Sequence, residues 1–122
     1  NTVAEVFSYR PAAEGRAAEW EPRAALEAPR AGLGLAALGT RLYVIGGGWD
    51  GALEFNEQYD TQVDAWSRFG TPITAAWRSL GVTALEQKVY AVGGWSNGYL
   101  ALNEQYQALL RQLLPIGGGR GG

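Results

Sequence analysis

A shift of 47 residues lays residues 34–59 over residues 81–106 without a gap, and 12 of the 26 positions are identical. The identical pairs include Gly46/Gly93, Gly47/Gly94, Asn56/Asn103, Glu57/Glu104, Gln58/Gln105 and Tyr59/Tyr106, with conservative pairs such as Leu42/Val89 and Ile45/Val92 between them. A period of this size marks a repeat architecture, in which each unit buries its apolar face against the next one. The chain is therefore expected to fold as stacked small units.

Each unit reads as a run of short strands. Gly34 to Leu38 is small and apolar on both faces, as an inner strand buried on two sides would be, and Gly39-Thr40 is a two-residue hairpin turn. Arg41 to Ile45 forms the next strand, which the glycines at 46–48 end. Leu53 to Tyr59 is a third strand, Asp60 to Asp64 a polar turn, Ala65 to Phe69 a fourth strand, and Thr71-Pro72 a break before the next copy. Four antiparallel strands per period is the pattern of one β-propeller blade, so the fold class is all-β.

Arg30, the small-residue strand, Leu42 to Gly47, Asn56 to Asp60 and Trp66 together resemble a kelch repeat, and Arg78, Val89 to Gly94 and Asn103 to Tyr106 resemble a second. The resemblance implies kelch-type blades of four-stranded antiparallel sheet. In them Gly46, Gly47, Gly93 and Gly94 end the second strands, Tyr59 and Tyr106 sit on the third, and Trp20 and Trp66 on the fourth. Upstream, Glu5-Val6-Phe7 resembles Glu57-Gln58-Tyr59, with an Ala/Glu/Arg-rich loop before Trp20 that suits a short helical turn. Downstream, Leu113 stands where the fourth-strand tryptophan is expected.

The expected organisation is the C-terminal half of a first blade over 1–29, a complete blade over 30–76, a second blade with a degenerate last strand over 77–114, and a Gly-rich tail over 115–122. Two to three blades make a partial propeller, because rings close with about four to eight. Open blades expose sheet edges and apolar faces, so the chain is expected to be a fragment, a ring-forming oligomer or a subunit packed on something else.

Composition removes several function classes. Cysteine and histidine are both absent, which excludes disulfides, Cys/His zinc sites, Ser-His dyads and thiol nucleophiles within these residues. No cofactor is expected. The net charge is −2 with acids and bases interspersed, so nucleic acid is not an expected partner. Gly46-Gly47-Gly48 lacks the helix and the Gly-Lys-Ser/Thr of a phosphate cradle, and "GGGRGG" is a single RGG-like element. No apolar run is long enough for a membrane span. The first residue is Asn1 and methionine is absent, which leans towards a processed, exported product.

Candidate binding residues lie in the loops after the glycine clusters: Trp49 and Asp50 in one copy, Trp95, Ser96 and Asn97 in the other. Loops on a rigid sheet carry recognition and tryptophan is favoured at hot spots, while an indole beside Asp, Ser or Asn also suits a sugar ring. The plainer alternative is that each indole covers its own blade. Arg30 and Arg78 precede the first strands, where two guanidinium forks can hold a carboxylate or sulfate; the kelch resemblance implies instead an arginine bonded to backbone carbonyls. Trp77 has no aromatic counterpart and is expected as a surface contact. Trp20, Trp66, Tyr43 and Tyr90 are expected in the core. Glu57 and Glu104 are expected to point outward; their repetition favours blade geometry over an acid–base pair, which needs two different environments.

Three functional classes follow, none of them with an assigned catalytic or metal-ligating residue. The leading one is a non-catalytic kelch-type scaffold binding another protein through blade loops. The second is a structural subunit whose partial propeller is completed by further blades of the same or another chain. The third is a carbohydrate-binding or sugar-modifying propeller similar to the sialic-acid epimerases of that family.

Overall fold

The computed structural model describes residues 3–49, 51–71, 76–96, 103–107 and 112–115; the expected tail over 115–122 lies outside them except for its first residue, Pro115. Among the described residues every regular element is a strand: β1 (Val6–Arg10), β2 (Glu19–Arg23), β3 (Gly34–Leu38), β4 (Arg41–Ile45), β5 (Asn56–Asp60), β6 (Ala65–Phe69), β7 (Gly81–Leu85), β8 (Lys88–Val92), β9 (Asn103–Gln107) and β10 (Gln112–Pro115). No helix there is long and apolar enough to cross a membrane.

The strands form two four-stranded antiparallel sheets, β3-β4-β5-β6 and β7-β8-β9-β10, and a two-stranded sheet, β1-β2. Sequence neighbours pair throughout, as short turns dictate. Three details differ from expectation. The third strand starts at Asn56 rather than Leu53. The loop after β1 holds a tight turn closed by reciprocal Ala13 and Arg16 backbone bonds of 3.0 and 2.9 Å, in place of a helical turn. The last strand runs through Pro115, and its Leu113 opposes Tyr106 just as Trp66 opposes Tyr59.

The register also corrects the first blade. Tyr9 opposes Trp20 with ring centroids 4.9 Å apart, the spacing of Tyr59 and Trp66, so Tyr9 rather than Phe7 is the counterpart of Tyr59. The connection between the paired aromatics is thus four residues longer than in the next blade.

The core lies between the two four-stranded sheets. One flank of β3–β6 presents Ala36, Leu38, Tyr43, Ile45 and Phe69; β7–β8 and the segment before them present Trp77, Leu80, Val82, Ala84, Val89 and Ala91. The inner strands approach closely because position 34 is glycine: a Cβ there would lie 2.9 Å from Val82 Cβ and overlap its Cγ2. Tyr43 and Phe69 meet edge to face at 5.8 Å, a favourable aromatic geometry.

Candidate functional site

The glycine pairs organise the ends of the blades where the candidate residues gather. Gly46 has φ 72°, and a Cβ there would stand 2.7 Å from the Trp77 carbonyl oxygen, so the chain can pass from one blade to the next only over a bare backbone. Gly47 N–H donates to that same carbonyl at 2.6 Å. Asn56, also buried, accepts from Gly46 N–H at 3.0 Å and donates to the Gly70 carbonyl at 3.1 Å.

Arg30 is wholly enclosed by this framework. Its guanidinium donates to Glu57 Oε2 at 3.0 Å, to the Gly46 carbonyl at 2.7 Å and to the Phe55 carbonyl at 2.8 Å, and both side chains of the ion pair are almost fully buried. Burial pushes the Arg30 pKa down, and the adjacent Glu57 carboxylate opposes that shift. Glu57 also accepts the N–H groups of Glu27 and Ala28 at 2.7 and 3.2 Å, tying the segment after β2 to the next blade. Glu57 is therefore buried rather than outward-facing, and Arg30 has no fork left for an anion. The two-arginine clamp is not formed.

Trp77 is the second correction. It is 1% exposed, and its indole N–H donates to the Gly93 carbonyl at 2.9 Å, so it is core rather than surface. Trp20 moves the other way: it is 66% exposed and belongs to no core among the described residues. Trp66 packs on Tyr59 and donates to the Ala24 carbonyl at 2.7 Å, Tyr43 is buried, and Tyr90 is half-buried. Near Trp66, Asp64 accepts from Tyr59 Oη and, at 2.9 Å, from Ala24 N–H. The Ala24 bond first, and then Tyr59, hold the Asp64 carboxyl below its ordinary range.

Three candidates do come together. Arg78 and Trp95 form an antiparallel bridge through backbone bonds of 3.0 and 2.8 Å. The Arg78 guanidinium carbon lies 4.4 Å from the centre of the Trp49 ring and 6.0 Å from that of Trp95. Trp49 is 46% exposed, and Ser96 is half-buried beside Trp95. Asp50 and Asn97 lie outside the described residues. Trp49 and Trp95 are not twins, since the 47-residue shift places Trp49 against Ser96 and Gly48 against Trp95. They converge because they flank one arginine at the junction of two blades. No group of three metal-ligating side chains gathers among the described residues.

The family model described as the Kelch motif matches residues 29–72, the stretch that carries Arg30, the glycine pair, Glu57 and Trp66. The solved structure of YjhT, a kelch-type propeller protein, superposes on this chain with a TM-score of 0.75 at 14% identity, covering 93% of this chain and 45% of the other. The chain thus spans a little under half the length of that structure. At that identity the likeness establishes the fold, which is that of kelch-type propeller blades. No curated protein matches the sequence. As many as 98 chains of solved structures match, and a fold so widely shared assigns no activity by itself.

Proposed function

We propose that this chain is a non-catalytic kelch-type scaffold that binds a partner protein through its blade loops, with Trp49, Arg78 and Trp95 as the contact. Arg78 carries this reading. Arg10, Arg16, Arg23, Arg30, Arg41 and Arg68 each have a hydrogen-bond acceptor, whereas the Arg78 guanidinium has none among the described residues and rests over an indole instead. A stacked guanidinium keeps its in-plane donors for a bidentate carboxylate, and a half-exposed tryptophan beside it supplies contact area. The partner chemistry that fits is an acidic side chain next to an apolar one. Glu57, a fully buried carboxylate, is committed to Arg30 and two backbone N–H groups, which disfavours it as a catalytic base.

The test is a random dodecapeptide phage library panned on the 122-residue chain. Enrichment of carboxylate-bearing sequences that disappears with Arg78→Ala and with Trp49→Ala is expected; enrichment that both variants leave unchanged overturns the assignment. The half-exposure of Trp49 also suits a sugar ring. A glycan array with the wild type and a Trp49→Ala, Trp95→Ala double variant separates the readings, since array binding lost in the double variant would mark a carbohydrate site.

A further inference from the structure

The two flanks of the repeat differ in one telling way. Leu80, Val82, Ala84, Val89 and Ala91 of the second blade are covered by the flank of β3–β6. Their counterparts 47 residues earlier are Leu33, Leu35, Ala37, Leu42 and Val44. In that set Leu35 is 53% exposed, Ala37 is exposed, Leu33 and Leu42 are half-buried, and Val44 alone is buried. An apolar cleft of about 320 Å³ opens there, bounded by Val6, Leu33, Leu35, Leu42, Val44 and Trp66. The same half-core is built twice, and only the second copy is covered along both of its inner strands.

The strand pair β1-β2 tells what is missing. Its Tyr9–Trp20 register equates β1 with β5 and β2 with β6, so the outer half of a blade is present without strands equivalent to β3 and β4. One edge of β1 accordingly has no strand partner among the described residues, whereas β5 is paired on both sides.

We propose that this cleft seats a two-stranded β-hairpin that is not contained in these 122 residues, paired with the free edge of β1 and laying a small-residue face over Leu35. The occupant is built like β3–β4. Opposite Leu35 it carries glycine, because Val82, the smaller counterpart of Leu35, already excludes a Cβ at Gly34. Its second strand adds to β1 by main-chain pairing, the mode of β-augmentation. A second copy of this chain fits less well. Its exposed flank, with Leu85 and Val92 outward, is of the right kind, yet β9 and β10 come attached and would claim the ground that β1-β2 hold.

The probe is a labelled peptide copying residues 32–47, titrated into the 122-residue chain. A second arm joins a copy of residues 32–51 ahead of Asn1, which raises the effective concentration of the hairpin. Expected is saturable 1:1 binding, weakened about tenfold or more by Gly34→Val in the peptide and by Leu35→Arg in the chain, where the exposed side chain leaves the fold intact. In the fused chain Tm rises by several degrees, and Gly34→Val in the copy removes the rise. Either readout with that glycine sensitivity supports the hairpin. Binding or Tm insensitive to both substitutions, neither binding nor a rise in Tm, or formation of a chain dimer with β1-β2 displaced overturns it.

Discussion

Trp77 stands in the second blade where Arg30 stands in the first, and each donates to the carbonyl of the first glycine of its blade's pair: Arg30 Nη1 to Gly46 at 2.7 Å, Trp77 Nε1 to Gly93 at 2.9 Å. Two side chains of opposite character thus satisfy the same backbone acceptor. What the position requires is a long side chain that ends in an N–H, since a buried carbonyl left unpaired is costly. The arginine also serves Glu57, so the two solutions differ in what their loss exposes.

Glu57→Gln removes one member of a buried ion pair and leaves the Arg30 charge uncompensated. A destabilisation of about 3–5 kcal/mol is expected, read from urea unfolding of the variant and the wild type. A loss under about 1 kcal/mol, the range of exposed pairs, would contradict the enclosure of this pair.

Trp77→Ala and Trp49→Ala should separate by a wide margin. The first empties a fully buried site and should cost about 3–5 kcal/mol. The second removes a half-exposed ring and an exposed-site cation–π contact, about 1 kcal/mol or less. Parallel denaturation curves check the order.

Glu86 and Gln87 turn the hairpin between β7 and β8 with φ of 49° and 69°, a left-handed conformation that Asn-Gly adopts far more readily. Glu86→Asn with Gln87→Gly is expected to stabilise the chain by about 1 kcal/mol. A fall in Tm would show that the two native side chains make contacts worth more than the relief of strain.

Asp64 contributes in a pH-dependent way. Its folded pKa is depressed, so its contribution is present above the ordinary value of 3.8 and is lost as the pH falls through the folded value. Asp64 sits at φ 54°, which asparagine tolerates, so Asp64→Asn isolates the charge. The variant should melt below the wild type at neutral pH, with a gap that closes as the solution is acidified below 3.8. A gap constant with pH would assign the effect to geometry alone.

Much of the blade is legible in the sequence. The strands Gly34–Leu38, Arg41–Ile45 and Ala65–Phe69 are bounded by glycines and polar turns that allow little freedom, and they fall where the spacing puts them. Leu53 to Phe55 look strand-like by composition, yet β5 begins at Asn56, whose side chain bonds backbone at Gly46 and Gly70. The site is less legible because residue type and repeat offset point to different pairings. By residue type Arg30 pairs with Arg78 as a clamp, whereas the 47-residue shift puts Arg30 against Trp77, and both of these are buried. Phe7 shares a Glu-x-aromatic triplet with Tyr59, yet the tryptophan partner fixes the register at Tyr9. Trp20 lies exposed because no described residue covers the far side of its strand pair, which the sequence of one strand does not encode.

The strictly sequential strand order has a kinetic meaning. Within the first complete blade the widest gap is the ten residues between Ile45 and Asn56, so every pairing closes a short loop. Pairing between sequence neighbours keeps the closure cost of each hairpin small. Each blade should zip up from its own hairpins, and the late event should be the meeting of Gly34 with Val82, when two formed sheets dock and expel the water between them.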